Sequence, residues 1–181
     1  MFTPLKLVEM NYEDIQEYLA FSQREYAQGM LDQGEYPDYE TAVRAARNEI
    51  TYYYNHVVPG ESHFAYHIMN AASGEKVGIL AFSILLRRDT KVPFIFVDYI
   101  SVFPMHRRLG YARFAMKWLE SWALEHDFNV IDLNVMQHKK GAVKLYQDLG
   151  YVIFQERALG LSKVPGRFDM RLDLTPVVAN V

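Results

Sequence analysis

The stretch Ile100-Ser-Val-Phe-Pro-Met-His-Arg-Arg-Leu-Gly-Tyr-Ala112 marks the change from a buried strand to a helix. The residues that lead into it, from Phe94 onward, are almost all apolar, aromatic or β-branched, which is typical of a strand buried on both faces. Pro104 ends that strand, and the pattern after it predicts a helix from about Arg107 to His126. The first turn of a helix leaves backbone N–H groups without partners and carries partial positive charge. The sequence therefore predicts an anion site at Arg107–Ala112.

Small residues and arginines within this stretch support the anion site. Gly110 removes a side chain where a ligand would have to approach the backbone closely, and Ala112 is the next smallest choice. Arg107 and Arg108 are cations at a predicted helix N-terminus, which costs about 0.3–1 kcal/mol each unless an anion compensates. A pyrophosphate would supply that compensation. The alternative interpretation is that both arginines are solvated and Gly110 is merely tolerated, because short glycine motifs are weak evidence.

The segments on either side predict a sheet with helices. The predicted strands are Leu5–Glu9, Phe64–Met69, Val77–Leu86, Phe94–Phe103, Asn129–Met136, Tyr151–Glu156 and Phe168–Leu174. Besides the central helix, we predict one from Asn11, its N-cap, to about Tyr26, one from the cap Asp38 to Pro59-Gly60, and one at Ala142–Leu149 that Gly150 closes. Gln28–Pro37 is predicted to be a connection. This order indicates a mixed sheet in one α+β domain that spans residues 1–181.

Composition excludes some classes of function. A net charge of −3 argues against a general binder of nucleic acid or of an anionic membrane. The absence of cysteine rules out a disulfide framework, a thiolate zinc site and a cysteine nucleophile. No signal peptide and no apolar run of about 20 residues is visible, so we expect a cytoplasmic protein that does not span a membrane.

Two motifs together point to a known family. Arg107-x-x-Gly110-x-Ala112, after the strand Tyr99–Val102, resembles the cofactor motif Gln/Arg-x-x-Gly-x-Gly/Ala of the GNAT superfamily of acyl-CoA N-acyltransferases. Downstream, the segment from His138 to Tyr151 resembles the second motif of that superfamily, Asn-x-x-Ala-x-x-Leu-Tyr-x-x-x-Gly-Phe. Two motifs in the right order, each at a matching structural junction, are more specific than either alone.

The resemblance implies a fold, a cofactor and the residues that bind it. The fold would be a single GNAT-like domain with a mixed, mostly antiparallel twisted sheet flanked by helices. Residues 94–151 would form the cofactor-binding core, and residues 1–60 would help to shape the acceptor site. The cosubstrate would be acetyl-CoA, bound by Ile100, Ser101, Val102, Arg107, Arg108, Leu109, Gly110, Tyr111, Ala112 and Lys139. Lys139 departs from the usual Asn of the second motif, and it could pair with a phosphate or lie in solvent.

The resemblance also implies direct attack of an amine on the thioester in a ternary complex, with Tyr146 as the general acid toward the leaving thiolate. Asp98 is the only acid within the apolar run of its strand, and alternation along that strand places it with Ile100 and Val102. It is a candidate general base, directly or through water, or else an edge carboxylate or a salt-bridge partner. His63 and His67 share one strand face, but no third ligand is apparent, so no metal is expected.

Other functions and partners stay open at this point. The main alternative is a catalytically silent CoA-binding module that senses or regulates. A nucleotide-binding regulator is a weaker alternative, since the chain lacks Gly-x-x-x-x-Gly-Lys and Gly-x-Gly-x-x-Gly. The acceptor could be a small-molecule or a peptide amine, and the oligomeric state is open, with a homodimer compatible with the sequence.

Overall fold

The strands form one seven-stranded sheet. The computed structural model describes residues 4–32, 34–54, 61–158 and 165–174. The strands are β1 (Leu5–Glu9), β2 (His63–Asn70), β3 (Lys76–Leu86), β4 (Pro93–Val102), β5 (Val130–Met136), β6 (Val152–Ala158) and β7 (Pro165–Asp173). They lie in the order β1-β2-β3-β4-β5-β7-β6. All neighbours pair antiparallel except β4 and β5, which are parallel. This confirms the predicted mixed, mostly antiparallel sheet.

Four α-helices accompany the sheet in the described part of the chain: α1 (Tyr12–Asp32), α2 (Tyr39–Tyr54), α3 (Tyr111–Glu125) and α4 (Lys140–Asp148). A short 3₁₀ turn at Pro104–His106 follows β4. The predicted caps are confirmed, because Asn11 Oδ1 accepts from the Asp14 N–H at 2.9 Å and Asp38 Oδ1 accepts from the Thr41 N–H at 2.8 Å. The end predicted for α2 at Pro59-Gly60 lies outside the described residues.

The two faces of the sheet have separate cores. On one face, side chains of β2 to β5 pack with α3 and α4, and this core includes Phe82, Val97, Met116, Leu119 and Tyr146. On the other face, a second cluster packs against α1, and it includes Tyr18, Ala65, Ile79 and Ala81. The sheet therefore separates an α3–α4 side from an α1 side, as the period-2 alternation of strand side chains requires.

Helix α1 is longer than predicted. It continues to Asp32, so the assignment of Gln28–Pro37 as a connection is wrong for its first five residues. Gly29 lies inside the helix, where a Cβ would come within 3.3 Å of Met136 Cε. The glycine thus provides close packing against β5, and this tertiary contact outweighs its low helix propensity.

Helix α3 begins at Tyr111, so its predicted start at Arg107 is wrong by four residues. Arg108 and Gly110 have φ of 66° and 83°, and a right-handed helix cannot include such residues. Arg107 and Arg108 therefore lie in a loop just before the helix instead of in its first turn.

The parallel pair β4–β5 is short. In the described residues these strands pair only from Ile95 with Ile131 to Val97 with Leu133, although both strands continue for several residues. Beyond Val97 the two strands separate, and a cleft opens between them.

No described helix is both long enough and apolar enough to span a bilayer.

Candidate active site

The cleft between β4 and β5 collects nearly all the residues that the sequence motifs singled out. It has a volume of about 1450 Å³ and is lined by the end of β4, the loop before α3, the first turn of α3, and α4. Of the predicted site residues, those that line it are Asp98, Ile100, Ser101, Val102, Arg107, Arg108, Gly110, Tyr111, Ala112, Lys139 and Tyr146. The exception is Leu109, whose side chain points to solvent and is 60% exposed.

The start of α3 presents backbone donors to this cleft. Its first helical hydrogen bond runs from the Phe114 N–H to the Gly110 carbonyl at 3.0 Å. The N–H groups of Tyr111, Ala112 and Arg113 therefore have no acceptor within the helix. Donors of this kind, combined with the helix dipole, suit an anion.

The two arginines of the loop have different positions. Arg107 Nε–H donates to the Val102 carbonyl at 3.0 Å, so this side chain ties the loop to the last residue of β4. The Arg108 guanidinium reaches across the cleft, since its Nη1 would lie 4.0 Å from a Cβ at Gly141 in α4. Arg108 thus brings a positive charge between the starts of α3 and α4.

The same end of the cleft is basic, although the chain has a net charge of −3. Arg113 and Lys144 share the Asp148 carboxylate, at 3.5 and 3.0 Å. The other cations that line this end are Arg107, Arg108, Lys139 and Lys140. A polyanionic ligand would be attracted here.

Tyr146 lies on α4 with its side chain buried in the α3–α4 core and on the cleft wall. Burial raises the pKa of its phenol above the ordinary value of 10. Its ring lies 5.8 Å from that of Tyr151, which does not line the cleft. The phenol of Tyr146 is therefore neutral at physiological pH.

Asp98 is not on the sheet face that strand alternation predicted. β4 has a bulge there, because Val97 pairs with Phe82 and Tyr99 with Ala81, which leaves Asp98 as the extra residue. Its carboxylate Oδ2 accepts from Ser83 Oγ at 2.7 Å and bonds to His63 Nδ1 at 3.1 Å. Asp98 therefore lies on the α1 side, whereas Ile100 and Val102 pack on the α3–α4 side.

The α1 side of the cleft has a wall that the sequence motifs did not identify. Four residues of α1 at helical spacing line it: Tyr18, Ser22, Glu25 and Tyr26. Opposite them lie Tyr99, whose pKa burial raises to about 12, and Arg167, which donates to Tyr26 Oη at 2.9 Å. The amphipathic pattern of α1 predicts that one face of the helix is buried. No short sequence motif in α1 indicates that part of this face lines a cleft.

In the part of the chain that the structure describes, no group of three or more His, Asp or Glu side chains could hold a metal ion. His63 and His67 do share a sheet face. They face different carboxylates, since His63 Nδ1 bonds to Asp98 and His67 Nε2 lies 3.1 Å from Asp14 Oδ1.

The chain is similar to known acetyltransferases. The profile of the Acetyltransferase (GNAT) family matches residues 22–151. The Bacillus subtilis protein YycN, assigned as an acetyltransferase, has 24% identity and a TM-score of 0.72, over 88% of this chain and 98% of that one. The ribosomal-protein-S18-alanine N-acetyltransferase of Escherichia coli has 15% identity and a TM-score of 0.64, over 98% of this chain and 99% of that one. The spermidine N-acetyltransferase of Vibrio cholerae, in complex with CoA and spermine, has 14% identity and a TM-score of 0.62, over 95% of this chain and 96% of that one.

At these identities the solved structures show a shared fold. No curated protein is detectably similar to this chain in sequence.

Replacing Gly110 by Ala should weaken CoA binding. A side chain at its φ of 83° is strained by about 1 kcal/mol, and relief of that strain would displace the N–H groups of Tyr111 and Ala112. We expect Gly110→Ala to raise the Kd for CoA about tenfold in calorimetry. Gly74→Ala is the matched control, since Gly74 has φ 74° and equally open surroundings but lies in the β2–β3 hairpin. Equal CoA affinity of both variants and the wild type would contradict the anion site at α3.

Tyr146 should stay protonated when exposed tyrosines ionise. Because its pKa is raised by burial, the folded protein keeps this proton above pH 10 while the unfolded chain loses it. Its contribution to stability is therefore full below about pH 10 and falls as the pH rises further. In a ¹³Cζ-tyrosine NMR titration, we expect the Tyr146 resonance of the folded protein to begin its shift only above pH 10. A midpoint for Tyr146 near pH 10, the ordinary value of an exposed phenol, would show that the side chain is hydrated.

Proposed function

The chain belongs to the Acetyltransferase (GNAT) family of acyl-CoA-dependent N-acyltransferases, and we propose that it transfers the acetyl group of acetyl-CoA to a primary amine by direct attack in a ternary complex. One observation carries the proposal. The cleft where β4 and β5 separate is lined together by a basic helix start, the Tyr146 phenol and the Asp98 carboxylate. An anionic cofactor, a proton donor and a proton acceptor thus have places in one cavity.

We place the cofactor along the α3–α4 end of the cleft. Its pyrophosphate would accept from the N–H groups of Tyr111 and Ala112, with Arg108 nearby. Lys139, exposed before α4 where the family usually has Asn, would pair with a phosphate. The pantetheine arm would add to the edge of β4 at Ile100–Val102, where β5 is no longer paired. Leu109 would contribute only its backbone, because its side chain points away.

Tyr146 would protonate the leaving thiolate. The neutral amine attacks the thioester carbon, the C–S bond of the tetrahedral intermediate breaks, and the sulfur takes the phenolic proton. The proton that the attacking nitrogen still carries is lost as the amide forms, and the phenolate takes up a proton through solvent, which restores Tyr146. Burial keeps Tyr146 protonated, which makes it a weaker acid than an exposed phenol. The same desolvation raises the basicity of a thiolate that forms in the cleft, so the transfer stays feasible.

Asp98 would accept the proton of the amine, directly or through a water. An alkylammonium has a pKa near 10.4 in water, so the acceptor has to lose a proton before it attacks. The α1 wall that faces Asp98 offers Glu25 and the phenols of Tyr18 and Tyr26 to an acceptor that enters from this side. Asp98 then lies between that wall and the end of the pantetheine arm.

The acceptor would be a small-molecule or a peptide amine. Solved relatives of the fold include an enzyme named for the alanine of a ribosomal protein and one named for spermidine. A test should therefore present both kinds of amine, such as diamines, polyamines, amino acids and peptides with free N-termini. CoA release with acetyl-CoA can be followed with a thiol reagent, and the chain adds no background because it contains no cysteine.

We expect CoA release that depends on at least one amine of the panel, with the acetylated amine detected by mass spectrometry. Thermal stabilisation by acetyl-CoA without turnover of any amine would instead support a CoA-binding sensor.

Tyr146→Phe should lower kcat by about 100-fold or more while the KM for acetyl-CoA changes little, because only the proton donor is lost. Tyr151→Phe is the matched control: its ring is equally buried and adjacent but lies outside the cleft. Steady-state kinetics with the best acceptor measure both. A kcat of Tyr146→Phe equal to that of the wild type would contradict the general-acid assignment.

A further inference from the structure

We propose that His63 and Ser83 are positioning residues that hold the carboxylate of Asp98 in the cleft wall. The inference rests on the proposed function, in which Asp98 accepts the proton of the amine. Neither His63 nor Ser83 lines the cleft. Both act on the reaction through Asp98.

The three side chains form a polar row across three adjacent strands. His63 of β2 and Ser83 of β3 are direct cross-strand partners, and Asp98 follows on β4. The Ser83 hydroxyl donates to Asp98 Oδ2 at 2.7 Å, and His63 Nδ1 lies 3.1 Å from the same oxygen. His63 Nδ1 also lies 3.0 Å from Ser83 Oγ. With the proton of the imidazole on Nδ1, two donors converge on one carboxylate oxygen.

Burying these three polar side chains costs free energy of folding, which a purely structural role would have to offset. The side chains of His63 and Asp98 are 1% and 7% exposed, and Ser83 is fully buried. The neighbours on this face, such as Ala65 and Ala81, are small and apolar. A buried carboxylate needs donors to remain ionised, and an apolar replacement of such a pair is often equally stable. Stability alone therefore does not account for the row.

The bulge in β4 explains why Asp98 needs external support. An extra residue in a strand is outside the regular ladder, so the strand does not by itself set the direction of its side chain. Asp98 follows immediately after Val97, the last residue of β4 paired with β5. The carboxylate therefore lies where the cleft begins, and the donors of β2 and β3 hold it there. A reacting group requires this precision.

The proton balance follows from the geometry. The ammonium group of the acceptor gives a proton to the carboxylate of Asp98, which becomes a neutral acid and later releases the proton to solvent. His63 keeps its Nδ1 proton and Ser83 keeps its hydroxyl proton throughout. Their role is to orient the acceptor oxygen atoms of Asp98 before each turnover.

A double-mutant cycle tests this role. We expect His63→Leu to lower kcat about 10- to 100-fold at unchanged KM for acetyl-CoA, and to have no further effect in the Asp98→Asn background. His63→Asn should restore kcat to within about threefold of wild type, because its amide N–H can take the place of Nδ1–H. Ser83→Ala is a milder change and should lower kcat about three- to tenfold. In the Asp98→Asn background it should leave kcat unchanged.

His67→Leu is the matched control for folding. His67 is buried on the same face of the same strand, but its carboxylate partner is Asp14 of α1. We expect its kcat to remain within about twofold of wild type. Equal losses of kcat in His63→Leu and His67→Leu would reduce the role of His63 to packing and overturn the inference.

Two further outcomes separate the inference from the proposed function. If Asp98→Asn leaves kcat unchanged, the base assignment fails and the inference fails with it. If Asp98→Asn lowers kcat and His63→Leu lowers it by the same factor in both backgrounds, only the inference fails. A readout that requires no acceptor is the tautomer of His63 in ¹⁵N NMR, where we expect protonated Nδ1 in the wild type. A neutral ring protonated only at Nε2 would overturn the proposal.

Discussion

The structure depends on the early separation of two parallel strands. Within the described residues, β4 and β5 are joined at three residue pairs, from Ile95 to Val97 on β4, in the middle of a sheet that is otherwise antiparallel. A backbone edge inside a sheet needs hydrogen-bond partners, so the part of β4 after Val97 can satisfy its groups only from other sources. Arg107 supplies one by donating to the Val102 carbonyl. The remaining edge is the surface along which we place the pantetheine arm.

The separation also divides the chemistry between the two faces of the sheet. The cations and free N–H groups gather at the starts of α3 and α4, where they can bind a polyanion although the chain is acidic overall. Asp98 and the tyrosines of α1 lie toward the opposite face. The cleft joins both sides, so in the proposed reaction donor and acceptor would approach the reacting carbon from different directions.

Local patterns predicted much of this arrangement. Six of the seven strands began within two residues of their predicted starts, and both helix caps at Asn11 and Asp38 were confirmed, because alternation and capping depend on neighbours close in sequence. The errors arose where contacts distant in sequence prevailed. Gly29 stays inside α1 because α1 packs closely on Met136, and α3 starts late because Arg108 and Gly110 adopt positive φ.

The sequence by itself determined the family, the junction between β4 and α3, and the motif that contains Tyr146, since each is a short pattern with its own local chemistry. Only the tertiary structure decided the side of the sheet on which Asp98 lies and the partners of its carboxylate. His63 and Ser83 are 35 and 15 residues away in the chain, and a bulge reverses the face that alternation predicts. Strand periodicity cannot show an extra residue, because a bulge exists only in the pairing of one strand with another.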